Sequence, residues 1–519
     1  MTSKGMNFLV IMADQLNGFS LGCYNNPVVK SPHIDRLAAQ GVLFENAYAN
    51  NPLCAPARFT LMTGQQASRI KAYDNASYFP SNIPTVAHYL RAMGYQTCLS
   101  GKMHFIGADQ LHGFEERLTT DIYPADFGWV PDWEKSDERI DWWYHNLLSV
   151  KQAGVAEATN QLDFDDEVGQ QARRKLYDYA RAQSAGIDSR PFFMMASFTH
   201  PHDPYATRRK YWDLYRDDEI DRPKVPAMPY QELDPHSQRL YQVSDVGGLD
   251  ISDQDICHAR RAYYGNISYV DEWAGELLKT LDDTGLRART VVVVISDHGD
   301  MLGERGLWYK MSFFEASARI PMIVSAPQLF ESARVANAVS LLDVLPTLLD
   351  VAAVSGAGDL PDRVDPLDGR SLLPLLQGRG DDDPDEVIGE YMGEGAIAPI
   401  LMIRRGKYKY IFCAADPNQL YDLDADPNEL INLAGAPDHA DLMAEFEREV
   451  QQRWSPPALH QEVLRDQRKR RLLYNALTTG NFQPWDYQPG RDASQQYMRN
   501  HLDLNELEKT TRFPRPAQR

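Results

Sequence analysis

The sequence predicts an α/β fold: a large, mostly parallel (mixed) sheet sandwiched by helices, followed by a smaller α+β subdomain with a short antiparallel sheet and an extended C-terminal tail. Three observations predict it. Short apolar runs recur through the chain, segments with apolar residues at helical spacing lie between them, and the runs are apolar along their whole length. Strands covered on both faces have that last property, and strands alternating with helices indicate parallel connections.

In chain order, Asn7 to Ala13 reads as the first strand, Pro84 to Met93 as a helix closed by Gly94, and Tyr95 to Leu99 as the next strand. Asp165 to Gln183 has helical spacing and leads to a strand at Phe192 to Phe198. His258 to Asp282 is again helical, with strands at Val291 to Ile295 and Ile320 to Val324 and a helix at Asp343 to Val351. Gly378 to Asp385 is a polar loop, beyond which Glu386 to Tyr391, Ile400 to Arg404 and Lys407 to Phe412 read as short antiparallel strands. The expected organisation is a main domain over 1–380, a subdomain over 381–455 and a tail over 456–519. That tail is charged and aromatic, lacks a core of its own, and is expected to cover the active site or a neighbouring subunit.

Composition excludes several classes. With 53 basic against 73 acidic residues the net charge is -20, so a nucleic acid backbone would be repelled. The five cysteines are widely spaced and form no C-x-x-C pair, which fits neither a disulfide framework nor a zinc site and favours a reducing compartment. Phe8 to Met12 is too short for a signal or membrane segment, so no membrane partner and a cytoplasmic location are expected. Asp422 to Asp426 resembles the start of an EF-hand loop, but Pro427 stands where the glycine belongs and Leu433 where the glutamate belongs.

Ligands of open α/β sheets bind beyond the carboxyl ends of the strands, so the residues after each apolar run carry the functional signal. They are Asp14-Gln15, Gly101-Lys102-Met103-His104, Thr199-His200-Pro201-His202-Asp203 and Asp297-His298-Gly299. One strand-end aspartate would be read as a helix cap. Two of them with His298 suit a hard divalent cation, Ca²⁺ first, with Mg²⁺ or Mn²⁺ as alternatives. Arg58, Lys102 and Lys310 offer positive charge for an anionic ester, and His104 and His200 are candidate proton-transfer groups. His202, His112, His145 and His236 carry less signal. Tyr123, Phe127, Trp129, Trp133, Trp142, Trp143 and Tyr144 form an aromatic segment without core spacing, of which Trp129 is the expected ligand contact, since aromatic faces attract quaternary ammonium groups.

The string Cys54-Ala55-Pro56-Ala57-Arg58 reads C-x-P-x-R. With it and the strand-end residues, the chain resembles the formylglycine sulfatases of the alkaline phosphatase superfamily, and within them the choline sulfatase branch. The most specific strings are Asn51 to Pro56, Tyr73 to Ala76, Gly101 to Gly107, Leu111 to Trp129, Ile140 to Asn146, Thr199 to Tyr205 and Gln483 to Pro489. The resemblance implies that 1–380 is the catalytic domain and that Cys54 is converted to formylglycine by a generating or equivalent maturation enzyme. It implies metal ligation by Asp14, Cys54, Asp297 and His298, with Arg58 holding the aldehyde hydrate and sulfate and Lys102 and Lys310 binding sulfate. His104 would be the base that collapses the sulfated hemiacetal and His200 the acid for the leaving group. Asn75, Trp129 and His145 would line the substrate pocket. The implied activity is hydrolysis of choline-O-sulfate through a gem-diol nucleophile and a covalent sulfate ester, by a homodimer or homotetramer.

Two departures stand out. Many sulfatases carry a second Asp after the first and an Asn after the later one, where this chain has Gln15 and His298. Those pairings also occur in phosphonate monoester hydrolases and phosphodiesterases, which are the alternative enzymes. A third reading is a non-catalytic choline sulfate binding protein in which Cys54 stays a thiol.

Overall fold

A computed structural model describes residues 5–135, 145–380, 382–490, 492–495, 497–498 and 503–514. Its main sheet has eight strands: β1 (Asn7–Asp14), β2 (Val42–Tyr48), β3 (Gln96–Gly101), β4 (Glu116–Arg117), β5 (Phe192–Pro201), β6 (Thr290–Ser296), β7 (Arg319–Ser325) and β8 (Ala333–Ser340). Their order across the sheet is β8-β2-β7-β6-β1-β5-β3-β4. Only β7 runs against both its neighbours, β2 and β6, and every other pairing is parallel. The sheet is therefore mixed and mostly parallel, as expected.

The central strands are the ones the apolar runs mark. β6 reads Thr-Val-Val-Val-Val-Ile-Ser and is buried throughout, which suits β-branched side chains on a pleat covered on both faces. Two edge-side strands escape a sequence reading. β2 carries Glu45 and Asn46, and β8 reads Ala-Arg-Val-Ala-Asn-Ala-Val-Ser with its first half largely exposed, so neither is an uninterrupted apolar run.

Two long helices cover one face. Asn160–Ala185 starts at Thr159, whose hydroxyl accepts the Leu162 amide, and Asp253–Thr284 starts at a capping box between Ser252 and Asp255. Both end on a left-handed glycine, Gly186 (φ 68°) and Gly285 (φ 74°). Both pack on β5 and on each other, closing the space behind the strand.

The second sheet is antiparallel, β9 (Glu386–Tyr391), β10 (Ile400–Arg405), β11 (Tyr408–Cys413) and β12 (Gln419–Asp422). The polar loop before it is anchored rather than loose: Arg370 pairs with Asp383 at 2.8 Å and Arg404 with Asp385 at 3.1 Å. Beyond Trp454 the tail contains a 22-residue helix, Pro456–Leu477, with Pro456 and Pro457 at its first turn, where a missing N–H costs nothing. Its buried face mixes Leu459 and Val463 with Gln467 and Arg470, and those polar positions hide the helix from a reading based on apolar spacing.

Lys409 joins the two sheets. It lies on β11 with its side chain sealed from solvent, and its Nζ reaches Glu315 Oε1 at 2.8 Å, Glu429 Oε1 at 2.5 Å and the Phe313 carbonyl at 2.6 Å. Removing one member of such a cluster leaves buried charge without compensation. Lys409→Met is therefore expected to lower unfolding stability by about 3–5 kcal/mol, measured by urea denaturation, and a loss below about 1 kcal/mol would contradict the assignment.

Candidate active site

The register of the central strands assembles the site. Ala13 of β1 lies opposite Ser296 of β6, Asp14 opposite Pro201 of β5, and Gly101 of β3 opposite Ser197 of β5, so Asp14, Lys102, His202 and Asp297 emerge along one edge of the sheet. A side chain is not tolerated at Gly101, where a Cβ would stand 2.0 Å from the Ser197 carbonyl oxygen at φ 110°. Facing this edge is the helix Cys54–Thr63, of which Cys54 is the first residue. The Ala55 amide donates to Asn75 Oδ1 at 3.0 Å, which fixes the helix start.

Cys54 is buried, with Sγ 3.1 Å from His298 Nε2 and 3.8 Å from Asp14 Oδ1. Burial first, and Asp14 next, push its thiol up to about 11. A thiol so placed is protonated near neutral pH and is a poor nucleophile. In a matured chain the sulfur would be replaced by the oxygens of an aldehyde hydrate, and the distances above describe where those oxygens attach.

Arg58, one turn further along that helix, is sealed from solvent. Its Nε donates to Asp297 Oδ2 and its Nη2 to Asp14 Oδ2, both at 2.8 Å, while Nη1 donates to the Lys102 carbonyl at 2.5 Å and to Ser197 Oγ at 2.9 Å. Arg58, expected to hold the hydrate and sulfate, bonds here to the two carboxylates beneath the site, the Lys102 carbonyl and Ser197 Oγ.

Asp14, Cys54, Asp297 and His298 each offer a ligand atom, all within 4.8 Å of one another and all buried. His298 Nδ1 sits 3.0 Å from the Gly299 carbonyl, which assigns the proton to Nδ1 and leaves the Nε2 lone pair facing Cys54. Arg58 takes one oxygen of each aspartate, leaving Asp14 Oδ1 toward the cluster. Burial raises the Asp14 carboxyl, but the Lys102 and Arg58 cations outweigh it and hold it well below the usual carboxylate range. Two carboxylates, one imidazole and an oxygen from residue 54 fit a divalent cation of the hard class. Gln15 is not part of this group. Its Oε1 accepts Lys310 Nζ at 2.7 Å and its Nε2 donates to Asp300 at 2.7 Å.

The cavity above Cys54 is lined by Asn75, Tyr123, Trp129, His145, His202 and Lys310. Lys102 pairs with Asp14 and stands 4.3 Å from the Tyr123 ring centroid. His104 packs against Tyr123 and Trp129, and neither ring nitrogen has a hydrogen-bond partner. Burial, then the neighbouring Lys102, bring it down to about 3, so it is a neutral imidazole. Its backbone holds φ 57°, pinned by the Met103 and His104 amides donating to Asp121 Oδ2 at 2.9 Å. Lys310 lies between Tyr309 and Met311, both at positive φ, and its Nζ reaches His202 Nε2 at 2.8 Å.

The expectation that His200 is the leaving-group acid is corrected. β5 continues to Pro201, so His200 is still inside the strand, and its ring points to the helix-covered face. There Nδ1 lies 2.6 Å from Asp165 Oδ2 and the ring packs edge-on to Tyr269. His202 is the histidine at the cavity. Its Nδ1 is 2.7 Å from the Asp203 carbonyl, and burial together with Lys310 holds it well below its ordinary value. His145 joins it, 3.5 Å from Asp203 Oδ2, lowered to about 4 by burial and Lys310. His236 is structural, bridging the Met311 and Gly395 carbonyls, and His112 stacks on Phe79. Phe127 packs on Trp485, and Trp133 Nε1 donates to the Gly393 carbonyl. Trp142, Trp143 and Tyr144 lie outside the described residues.

Sequence reasoning missed Glu394. It is buried, no other residue hydrogen-bonds its carboxyl oxygens, and it lies within electrostatic reach of Lys310 and Cys54. Burial, then the nearby Asp74, push it up to about 8. The signal that could have found it is its place just past the end of β9, the rule that located the other residues applied to the second sheet.

The Sulfatase family profile matches residues 6–354. "N-sulphoglucosamine sulphohydrolase, C-terminal" matches 303–455, and "Choline sulfatase enzyme C terminal" matches 461–513. The chain is 50% identical to a choline-sulfatase of Rhizobium meliloti (strain 1021), over 99% of this chain and all of that protein. It is 28% identical to an arylsulfatase of Clostridium perfringens (strain 13 / Type A), over 80% of this chain and 90% of that one. The phosphonate monoester hydrolase structure of Agrobacterium radiobacter superposes with a TM-score of 0.67 at 24% identity, covering 88% of this chain and 96% of that one, a likeness of fold.

The two histidines flanking Pro201 should separate cleanly by mutation. His202→Ala is expected to lower turnover of a sulfate ester by about 10²–10⁴-fold, and His200→Ala to lower the melting temperature with turnover within about threefold. Steady-state kinetics beside thermal melts check this, and the opposite ranking would overturn the assignment.

Proposed function

The chain belongs to the sulfatase family, and on that premise we propose that it hydrolyses choline-O-sulfate to choline and sulfate. The observation that carries the choice of substrate is Glu394. A buried carboxyl without a partner, near a cavity walled by Tyr123 and Trp129, is suited to a quaternary ammonium, which needs negative charge and aromatic faces but donates no hydrogen bond. The chain's identity to the Rhizobium meliloti choline-sulfatase points the same way.

The family implies a metal ion and a formylglycine at position 54. Asp14, Asp297, His298 and residue 54 would hold the metal, with Ca²⁺ the ion we assign because the donors are mainly oxygen. When bound, the cation would neutralise sulfate charge and make a hydroxyl of residue 54 more acidic. The matured residue would supply one hydroxyl to attack sulfur and a second whose deprotonation lets the carbon–oxygen bond to sulfate break, so that sulfate leaves and the aldehyde re-forms.

The remaining work falls to side chains present in the structure. Lys102 and Lys310 flank Cys54 and would hold the sulfate oxygens as charge builds on them. The choline oxygen leaves with a proton from Lys310 Nζ, whose hydrogen bond to His202 Nε2 keeps it aimed at the cavity. Neutral His104 accepts the proton of the second hydroxyl. Asp203, between His202 and His145, orients both rings. Asn75 holds the helix start and lines the pocket.

Specificity constants for choline sulfate, an aryl sulfate and a phosphodiester test the substrate, with mass spectrometry of the residue-54 peptide from the same preparation. We expect preference for choline sulfate by at least about 100-fold and a formylglycine mass at position 54. Preference for the diester would establish the phosphonate hydrolase reading, and full turnover with an unmodified thiol would overturn the nucleophile.

The pH dependence of choline binding tests Glu394. In the free protein its carboxyl is raised from 4.5 to about 8, so its contribution to stability is complete below about 4.5 and is lost as pH rises through about 8. A cation favours the ionised form and lowers that value, so binding at pH 7 should release a proton. Calorimetry in two buffers of different ionisation enthalpy should show release approaching about one proton per site, absent in Glu394→Gln. Proton uptake, or release that persists in the variant, would exclude Glu394 as the cation's partner.

A further inference from the structure

The C-terminal helix Pro456–Leu477 does not line the cavity, yet it is bonded to two segments next to its lining residues and, through Trp133, to the approach to Glu394. Arg470 is buried and forms a two-pronged pair with Asp74, itself sealed from solvent, with Nη1 to Oδ1 at 2.6 Å and Nη2 to Oδ2 at 2.7 Å. Asp74 closes a tight turn: its Oδ1 accepts the Ala76 amide at 3.0 Å, and the Tyr73 and Asp74 amides donate to Ser77 Oγ at 2.8 and 2.9 Å. The middle of that turn is Asn75, which both holds the start of the Cys54 helix and faces the cavity.

One turn earlier on the same helix face, buried Gln467 accepts the Trp133 amide at 3.1 Å. Trp133 in turn donates from Nε1 to the Gly393 carbonyl at 3.1 Å, next to Glu394. Arg471 donates to the Pro131 carbonyl at 3.0 Å and pairs with Asp132, two and three residues beyond Trp129. The turn of Asn75, the segment after Trp129 and the approach to Glu394 are thus set by adjacent turns of one helix.

We propose that Arg470 is a positioning residue for the leaving-group pocket: its fork on Asp74 holds the Asn75 turn in register with Trp129 and Glu394, so that the C-terminal helix determines recognition of the cationic end of the substrate. The kinetic part of this inference rests on the choline sulfate reading above. The geometric part does not. A guanidinium presents two parallel donors in a plane, so a lysine would keep the charge and lose the fork. Leaving Asp74 buried without Arg470 would loosen the turn, whereas neutralising both partners removes that penalty.

Two readouts on the full chain test it. Amide hydrogen exchange in Arg470→Lys should lose protection by about tenfold or more at residues 73–77 and 391–396, with β1 and β6 unchanged. Kinetics of the same variant should show KM for choline sulfate raised by about tenfold or more with kcat within about threefold, and aryl sulfate turnover within about threefold. Asp74→Asn/Arg470→Gln should recover most of the lost protection; if Arg470→Lys fails to fold, this double variant against Asp74→Asn alone gives the same comparison. Unchanged exchange at 73–77, or a parallel fall for both substrates together with loss of protection in β1 and β6, overturns the proposal. Loss of protection confined to the two segments, in an enzyme whose wild type shows no preference for choline sulfate, supports the positioning role and refutes the substrate reading.

Discussion

A guanidinium sealed from water between two carboxylates is the constraint on which the rest of this structure depends. Arg58 sits at the second turn of the Cys54 helix and reaches Asp14 at the end of β1 and Asp297 at the end of β6. A buried charge persists only if it is paired and its remaining donors are satisfied, and here the Lys102 carbonyl and Ser197 hydroxyl take what the aspartates leave. One side chain therefore ties the helix, two neighbouring strands, β5 and the loop after β3 into a single arrangement. The price of moving any of them is an unpaired charge in the interior. That rigidity sets the spacing of the cation-holding residues before any ion or substrate arrives, the condition under which preorganised charge is most effective in catalysis.

The groups around Cys54 carry both signs of charge, as the proposed zwitterionic substrate requires. Lys102 and Lys310 lie against Cys54, while two carboxyls with raised affinity for protons stand nearby: Glu394, within electrostatic reach of Lys310, and Asp300, which accepts from Gln15 Nε2. In a desolvated cavity such a field discriminates by sign at both ends of a small substrate. An ester with a neutral leaving group satisfies only the sulfate end, and Glu394 then remains protonated and silent. His104 beside Lys102 and His202 beside Lys310 are each held uncharged by burial and a neighbouring cation, so that His202 Nε2 can accept the hydrogen bond from Lys310.

Much of this is legible in the sequence because strand ends are. Asp14, Asp297 and His298 follow uninterrupted apolar runs and Lys102 follows the shorter run at Cys98-Leu99, and the sheet brings those run ends to one edge. The reading fails where a run end and a strand end differ. β5 extends to Pro201, three residues past its last apolar residue, so a rule keyed to apolar residues selects His200 when the first side chain beyond the strand is that of His202. Arg58 was rightly placed at the site by its motif, but its direction depends on the helix axis and on which donors are already taken, neither of which residue types encode. Glu394 carries only its place past the end of β9 as a signal, and a glutamate after a short strand is ordinarily solvated; the packed fold makes it a buried acid.

The tail raises the same point in another form. Its helix reads poorly because Gln467 and Arg470 occupy core-facing positions, and polar residues are placed there for what they bond to across the chain. Asp74 and Arg470 are 396 residues apart, so neither residue has a local reason to be charged and buried. The separation also has a physical use. The sheet, the metal-type cluster and the Cys54 helix fall within the segment matched by the Sulfatase profile, while Gln467, Arg470 and Arg471 fall within the separate C-terminal match. Asn75, Tyr123 and Trp129 of the cavity lie in the first segment, and the helix residues proposed to position them lie in the second, the two joined through buried polar contacts. Hydrophobic packing alone would tolerate a sliding helix; a two-pronged ion pair sealed from water does not, because its geometry is satisfied at one register only.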